Sequence, residues 1–287
     1  MKETRFRAYQ LGTIGSSFSY SVGNHITLIE ARYNEKNKEN IKSEVKKIGE
    51  TRLDCLHITS WDEDHCNYNE LNSLLMELSP RRIEYPWYEP DTDCGTKSKA
   101  LIEYYLNQAK ANGISISPKF INGLDEAELL KYNDILYNPV TSADNHNDNS
   151  VVQLFRHGRF TVLSLGDCED PEIAQRIMYC PIASSEVDVL ILAHHGADNG
   201  FTTKKFIKQI APKIAICSSN YDNKFDHPRQ EIRDILYQAG VPLYTTKTGD
   251  VIIECLTGDN VRVYNLIGNN EVLSSSGTFT AKLKVQE

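Results

Sequence analysis

The sequence has no run of about 18 uncharged apolar residues, which excludes a transmembrane helix. It has no Cys-x-x-Cys pair, although it holds seven cysteines, at positions 55, 66, 94, 168, 180, 217 and 255. An odd, scattered set fits reduced thiols in a reducing cytosol best. The N-terminus, Met1 to Arg7, lacks the apolar stretch of a secretory signal. Basic residues are also short: 31 Lys and Arg stand against 39 Asp and Glu, for a formal net charge of -8. That balance argues against sequence-independent coating of duplex DNA, which needs a basic face. It leaves room for a nuclease, because bound dications offset local acid charge. No internal repeat and no clear linker divide the chain. Residues 1–268 read as one domain, and 269–287 as a polar tail or edge strand.

What is present is a set of apolar strands with polar ends. Leu53 to Ser60 reads as a strand, and Asp62-Glu63-Asp64-His65 follows it before the amphipathic helix Asn69–Leu78. Phe160 to Leu165 is a strand followed by Gly166-Asp167. Val187 to Ala193 is almost wholly apolar and ends in His194-His195-Gly196. Lys213 to Ser218 leads toward Asn223, Lys224 and His227-Pro228, before a helix over Arg229–Ala239. Further strands are read at Arg7–Leu11, Ser17–Val22, Ile26–Ala31, Ile83–Trp87, Ile114–Phe120, Pro242–Thr246 and Val251–Cys255. Further helices are read at Ile41–Ile48, Thr96–Asn112 (with Gly113 as its cap), from Pro171, and at Thr203–Ile210. Strands alternating with helices indicate an α/β layered fold, and such sheets offer ligand sites at their strands' carboxyl ends.

The residue types at those ends suit a divalent cation. Carboxylate oxygen and imidazole nitrogen are the donors that zinc and manganese take. Asp62 and Asp64 project to one side if their segment is extended; a solvated acidic turn capping the next helix is the alternative. Gly166-Asp167 alone is also a common turn. Paired histidines ending a buried strand are harder to explain by packing. His25 and His57 read as core or edge residues, His157 as a turn residue, and His146 as a residue of the polar loop Thr141–Ser150. Trp61 and Tyr68 flank the acidic motif, as stacking faces for bases or as core. Cys66 and Cys168 follow candidate ligands and read as packed thiols. Lys204 and Lys205 read as solvated, or as phosphate contacts.

Ser60-Trp-Asp62-Glu-Asp64-His65 resembles the metal motif of the metallo-β-lactamase superfamily, H-x-H-x-D-H. The series that follows is similar to that of the soluble hydrolase domain of ComEC, the DNA-uptake channel protein, and its stand-alone relatives. It runs Asn147 to Ser150, Gly166-Asp167, His194-His195-Gly196, Asn223, His227-Pro228 and Thr246 to Asp250. The resemblance spans roughly Arg7 to Cys255. It implies a four-layer αββα sandwich and a metal-dependent hydrolase, with a phosphodiester, nucleic acid or nucleotide as substrate. It implies Asp64, His65, Asp167 and His194 as ligands of one ion and Asp62 as a ligand of a second, with Zn²⁺ or Mn²⁺ as the metal. Asp64 would orient a water, His195 and His227 would steady the attacked group, and Asn147, Ser150, Asn223 and Lys224 would line the substrate's path. Ser60 departs from the pattern, standing where the relatives carry a histidine. Serine is a poorer ligand than imidazole, so the second site is weakened. That keeps open a degenerate, non-catalytic binding subunit of a larger bacterial system, beside a hydrolase of esters, lactones or thioesters.

Overall fold

The computed structural model describes residues 2–109, 111–117, 135–137, 145–268 and 270–284. Two sheets face one another, each covered by helices. The larger has nine strands in the order β15-β14-β13-β1-β2-β3-β4-β5-β6, and the smaller six in the order β12-β11-β10-β9-β8-β7. Their ranges are β1 Thr4–Ala8, β2 Phe18–Val22, β3 His25–Ile29, β4 Cys55–His57, β5 Arg82–Pro86, β6 Asn112–Ile116, β7 Ile135–Tyr137, β8 Val152–Phe155, β9 Val162–Ser164, β10 Val189–Ile191, β11 Ile214–Cys217, β12 Leu243–Thr245, β13 Val251–Cys255, β14 Asn260–Ile267 and β15 Val272–Thr280. The helices are α1 Lys38–Lys47, α2 Tyr68–Leu78, α3 Asp93–Ala109, α4 Pro171–Tyr179, α5 Pro181–Glu186, α6 Lys204–Ile210 and α7 Gln230–Gln238.

Period-two alternation on these strands builds the layers. In the smaller sheet, Phe155, Val162, Val189, Ile191, Ile214 and Ile216 face the other sheet, where they meet Phe6, Phe18 and Val251. Their neighbours Leu154, Leu163, Leu190, Ala215 and Cys217 point the other way, onto Ile173, Ile177, Phe206, Ile210 and Ile232 of α4, α6 and α7. Leu28, Leu56 and Ile83 of the larger sheet pack on Ile41, Leu71, Leu74 and Ile102 of α1, α2 and α3. Three apolar interfaces thus separate four layers, the αββα sandwich expected from the resemblance. The apolar runs at β9, β10 and β11 are continuous because both faces of these central, parallel strands are covered.

β1 alternates as well, Phe6 and Ala8 facing the other sheet, but its opposite face is charged. Its Arg5 and Arg7 lie under α1, where Glu44 accepts from both, and Arg7 Nε also donates to Asp250 Oδ2 at 2.7 Å. Asp250, at the end of the Thr246 to Asp250 motif, is therefore an ion-pair anchor for β1. Thr246 Oγ1 accepts from Ser219 N at 3.1 Å, which ties the β11 and β12 ends together.

Several boundaries differ from the sequence reading. Gly113 lies inside β6 and does not cap α3, which ends at Ala109. β14 and α5 were not read from the sequence, and the polar tail contributes β15, antiparallel to β14. Of the strand read at Ile114–Phe120 and the loop at Thr141–Ser150, residues 118–120 and 141–144 lie outside the described residues. No helix among the described residues is long and apolar enough to cross a membrane.

Candidate metal centre

The carboxyl ends of β3 and β4 in one sheet meet those of β9, β10 and β11 in the other. Four side chains converge there: Asp64, His65, Asp167 and His195, with one donor atom of each within 4.8 Å of the others. His65 Nε2 is 3.0 Å from Asp167 Oδ2 and 4.0 Å from Asp64 Oδ1. His195 Nε2 is 3.4 Å from Asp64 Oδ2 and 3.9 Å from Asp167 Oδ1. Donors about 2.0–2.2 Å from a zinc-sized ion stand about 3.3–3.6 Å apart in a tetrahedron, so the observed spacings bracket that geometry.

The polar accounting points the same way. Both Nε2 atoms are buried and have no hydrogen bond of acceptable geometry. A buried imidazole nitrogen without a partner is costly, and a cation satisfies it. Each ring is aimed by its other nitrogen. His65 Nδ1 lies 3.1 Å from Glu30 Oε1, and His195 Nδ1 is 2.9 Å from the Ser218 carbonyl. That is how metal-ligating histidines are usually held. The residues present fit a divalent ion.

The backbone positions each donor. Ser16 N donates to the Asp64 carbonyl at 3.0 Å, and Gly15, with φ of +128°, makes this approach possible. A Cβ on Gly15 would stand 2.4 Å from that carbonyl oxygen. Asp167 N donates to Ser150 Oγ at 3.1 Å. His194 and His195 both occupy the left-handed region, with φ of 42° and 51°. Non-glycine residues held there are strained, and such strain gathers at functional sites.

Two residues expected as ligands lie outside this cluster: His194, expected on the same ion, and Asp62, expected on a second. Residues 62–66 form a turn, with His65 N and Cys66 N both donating to the Asp62 carbonyl. The segment is not extended, so strand alternation does not set the directions of Asp62 and Asp64; Asp62 is not among the four donors, and its Oδ2 accepts from Ser60 Oγ at 2.8 Å. The adjacent histidines exchange the places expected of them. Two successive left-handed residues turn the chain so that His195 enters the cluster, while His194 Nδ1 pairs with Glu169 Oε1. The helix cap is Asn67, whose side chain accepts from Asn69 N and Glu70 N.

An open cleft of about 360 Å³ adjoins the cluster, lined by Asp64, His194, His195, Asn223, Phe225 and His227 among others. Burial, then the neighbouring His195 and His194, pushes the His227 imidazole down to about 4, so it is neutral at pH 7. Asn223 is engaged with its own loop: its amide donates to the Asn220 and His227 carbonyls at 3.0 Å and accepts from His227 N. Ser150 serves Asp167, and Asn147 accepts from Ser150 N through its carbonyl. Lys224 Nζ lies 4.8 Å from the Phe225 ring centre. Lys204 Nζ donates to Gln238, away from the cluster. Trp61 is 2% exposed and donates to the Tyr88 carbonyl, so it is core and not a stacking face. His57 is buried against Glu84, His157 is exposed, and His146 lies 3.4 Å from Asp91. Burial pushes the Cys66 thiol up to about 12, which suits a packed thiol.

No family model matches the chain. It is 26% identical over 208 residues, 71% of its length, to ComE operon protein 3 of Bacillus subtilis (strain 168). It is 32% identical over 104 residues to Recombination protein 2 of Haemophilus influenzae. It spans only 25% and 12% of the lengths of these curated relatives. In fold it is similar to Igni18, a metallo hydrolase from Ignicoccus hospitalis, with a TM-score of 0.55 over 87% of this chain and 98% of that one, at 15% identity. The CmlA β-hydroxylase E377D mutant aligns with a TM-score of 0.52 over 88% of this chain and 54% of that one, at 10% identity. The chain has the metallo-β-lactamase fold. Identities this low carry the fold alone, and within the metallo-β-lactamase fold it is the cluster at the strand ends that bears on chemistry.

Charge balance around the cluster yields a pH prediction. Burial lowers the His65 pKa, but Asp167, Glu30 and Asp64 outweigh it and raise it well above the ordinary histidine value. Without an ion, His65 stays protonated as pH rises past about 6.5. The proton leaves only as pH passes the raised folded value. A cation needs the neutral ring and competes with that proton. Apparent affinity for Zn²⁺ or Mn²⁺ is therefore expected to climb with pH through neutrality, with proton release on uptake. Calorimetric titration of metal-free protein in buffers of different ionisation enthalpy reads both. Uptake that is independent of pH from 6 to 8 would contradict this balance.

Proposed function

We propose that the chain is a metal-dependent hydrolase acting on a phosphodiester, with a single ion held by Asp64, His65, Asp167 and His195. The observation that carries this is the pair of buried Nε2 atoms, neither with a hydrogen bond of acceptable geometry, facing two carboxylates beside an open cleft. One ion is preferred over two because the Ser60 hydroxyl is engaged with Asp62 and lies 3.2 Å from the Tyr88 hydroxyl. When bound, the ion would lower the pKa of a water toward about 7 and polarise the attacked oxygen.

The chain's own residues do the rest. Asp64, 28% exposed, borders the cleft and orients a water by accepting its hydrogen bond. His227, neutral at pH 7, holds a substrate oxygen by hydrogen bond and not by charge. The substrate class rests on the resemblance to ComEC and on the cleft rim. Phe225, 48% exposed, lines the cleft, and an exposed aromatic side chain of this kind can stack on a base. With a net charge of -8, a single strand or nucleotide suits the cleft better than duplex DNA.

Metal analysis and a substrate panel test the reading. Purified protein should retain about one transition-metal ion per chain. It should hydrolyse a generic phosphodiester with Mn²⁺ or Zn²⁺ in preference to a lactone or thioester, and lose activity on chelation. Metal-free protein with an unchanged melting temperature in chelator would instead indicate a non-catalytic binding subunit.

A further inference from the structure

Glu169 lies two residues beyond Asp167 and belongs to neither the cluster nor any motif above. Its carboxylate is nevertheless held at both ends. Oε1 pairs with His194 Nδ1, and Oε2 accepts from Asn145 Nδ2 at 2.8 Å. Its backbone is fixed as well: Glu169 N and Asp170 N both donate to Asp148 Oδ1, at 2.7 and 2.8 Å. His194 is fixed from the other side, with its N donating to the Gly166 carbonyl at 3.0 Å. A solvated surface pair would have no need of this scaffold, and surface pairs contribute little.

We propose that Glu169 is a positioning residue that turns the His194 imidazole so that Nε2, and not Nδ1, faces the cleft and the substrate. A carboxylate against Nδ1 keeps the proton on that nitrogen and leaves the Nε2 lone pair free. The His194 ring centre stands 6.1 Å from that of His195 and 5.9 Å from that of His227. It therefore lines the cleft beside the ion cluster without joining the four donors. At 27% exposed, it remains reachable by a ligand in the cleft. From that place Nε2 accepts a hydrogen bond from a water or a substrate hydroxyl beside the attacked phosphorus. The kinetic consequence rests on the hydrolase reading above; the orientation of His194 does not.

The test uses the full chain with Glu169→Ala and Glu169→Gln, compared by metal content, histidine nitrogen-15 shifts and steady-state kinetics on a generic phosphodiester. The wild type should show His194 as the Nδ1–H tautomer. Glu169→Ala should move it toward Nε2–H, keep its ion and lower kcat by about 10- to 100-fold, the usual effect of removing an orienting partner, with KM little changed. Glu169→Gln, whose amide oxygen still accepts from Nδ1–H, should restore the tautomer and most of the turnover. Unchanged tautomer and kcat in Glu169→Ala would overturn the proposal. So would loss of the ion, which would make His194 a ligand. If the wild type with its ion hydrolyses no phosphodiester, the functional reading fails, while the tautomer measurement still decides the role of Glu169.

Discussion

Asp167→Ala is expected to release the bound ion and abolish turnover while leaving a folded protein. Asp167 is 5% exposed, and its two oxygens face both candidate histidines, at 3.0 and 3.9 Å. No other residue of the cluster addresses both imidazoles from so buried a position. Burial alone would raise its pKa, but the His65 and His195 imidazoles outweigh burial and hold it well below the usual carboxylate range. Its charge is thus built into the site before any ion arrives. Removing it leaves Asp64 as the one carboxylate among three donors. Loss of an outer partner costs metal affinity about 10- to 100-fold, and loss of a charged ligand should exceed that. The strand beneath should survive, because Asp167 follows β9 and Leu163 and Leu165 remain packed in their layer. Equilibrium dialysis against Zn²⁺ and Mn²⁺, with a melting curve as control, checks both halves. A variant that keeps its ion at wild-type affinity would remove Asp167 from the site and the hydrolase reading with it.

The fold was legible where burial on both faces makes a strand continuously apolar, as in β10 and β11. It was less legible where a strand is polar: residues 269–287 read as a tail or an edge strand, and β15, Ser-rich and largely exposed, lies at the edge of its sheet. The strand ends at 62–65, 166–167 and 194–196 were legible as chemistry because acids and imidazoles there have no packing use. Their allocation was not. A sequence pattern cannot tell whether Asp62 to His65 runs extended or turns, and here it turns, with Asp62 outside the four donors. Nor can it tell which of two adjacent histidines faces inward when both are left-handed. Glu30 was missed altogether, though the same rule could have found it: it is an acid directly after the apolar β3, buried at 1% exposure.

That omission supplies the second large effect. Glu30→Gln is expected to weaken ion binding about 10- to 100-fold and lower turnover in step at sub-saturating metal. Glu30 Oε1 accepts from Thr59 Oγ1 at 2.6 Å, and Oε2 from Thr59 N at 3.1 Å. The same carboxylate lies 3.1 Å from His65 Nδ1. It therefore joins the β3 end to the β4 end and aims the His65 ring at once. Its negative charge raises the basicity of Nε2 through the ring, which strengthens that nitrogen as a ligand. Glutamine keeps the shape, and its one amide oxygen can accept from Thr59 N while its NH2 donates to Thr59 Oγ1, so the fold should tolerate it; alanine would leave both buried groups of Thr59 unpaired and confound the reading. Excess metal should restore turnover in Glu30→Gln, since all four donors remain. It should not do so in Asp167→Ala. If excess metal fails to rescue Glu30→Gln in a protein that is otherwise folded, Glu30 acts on something other than the ion, and the orientation of His65 by its carboxylate is not what makes the site.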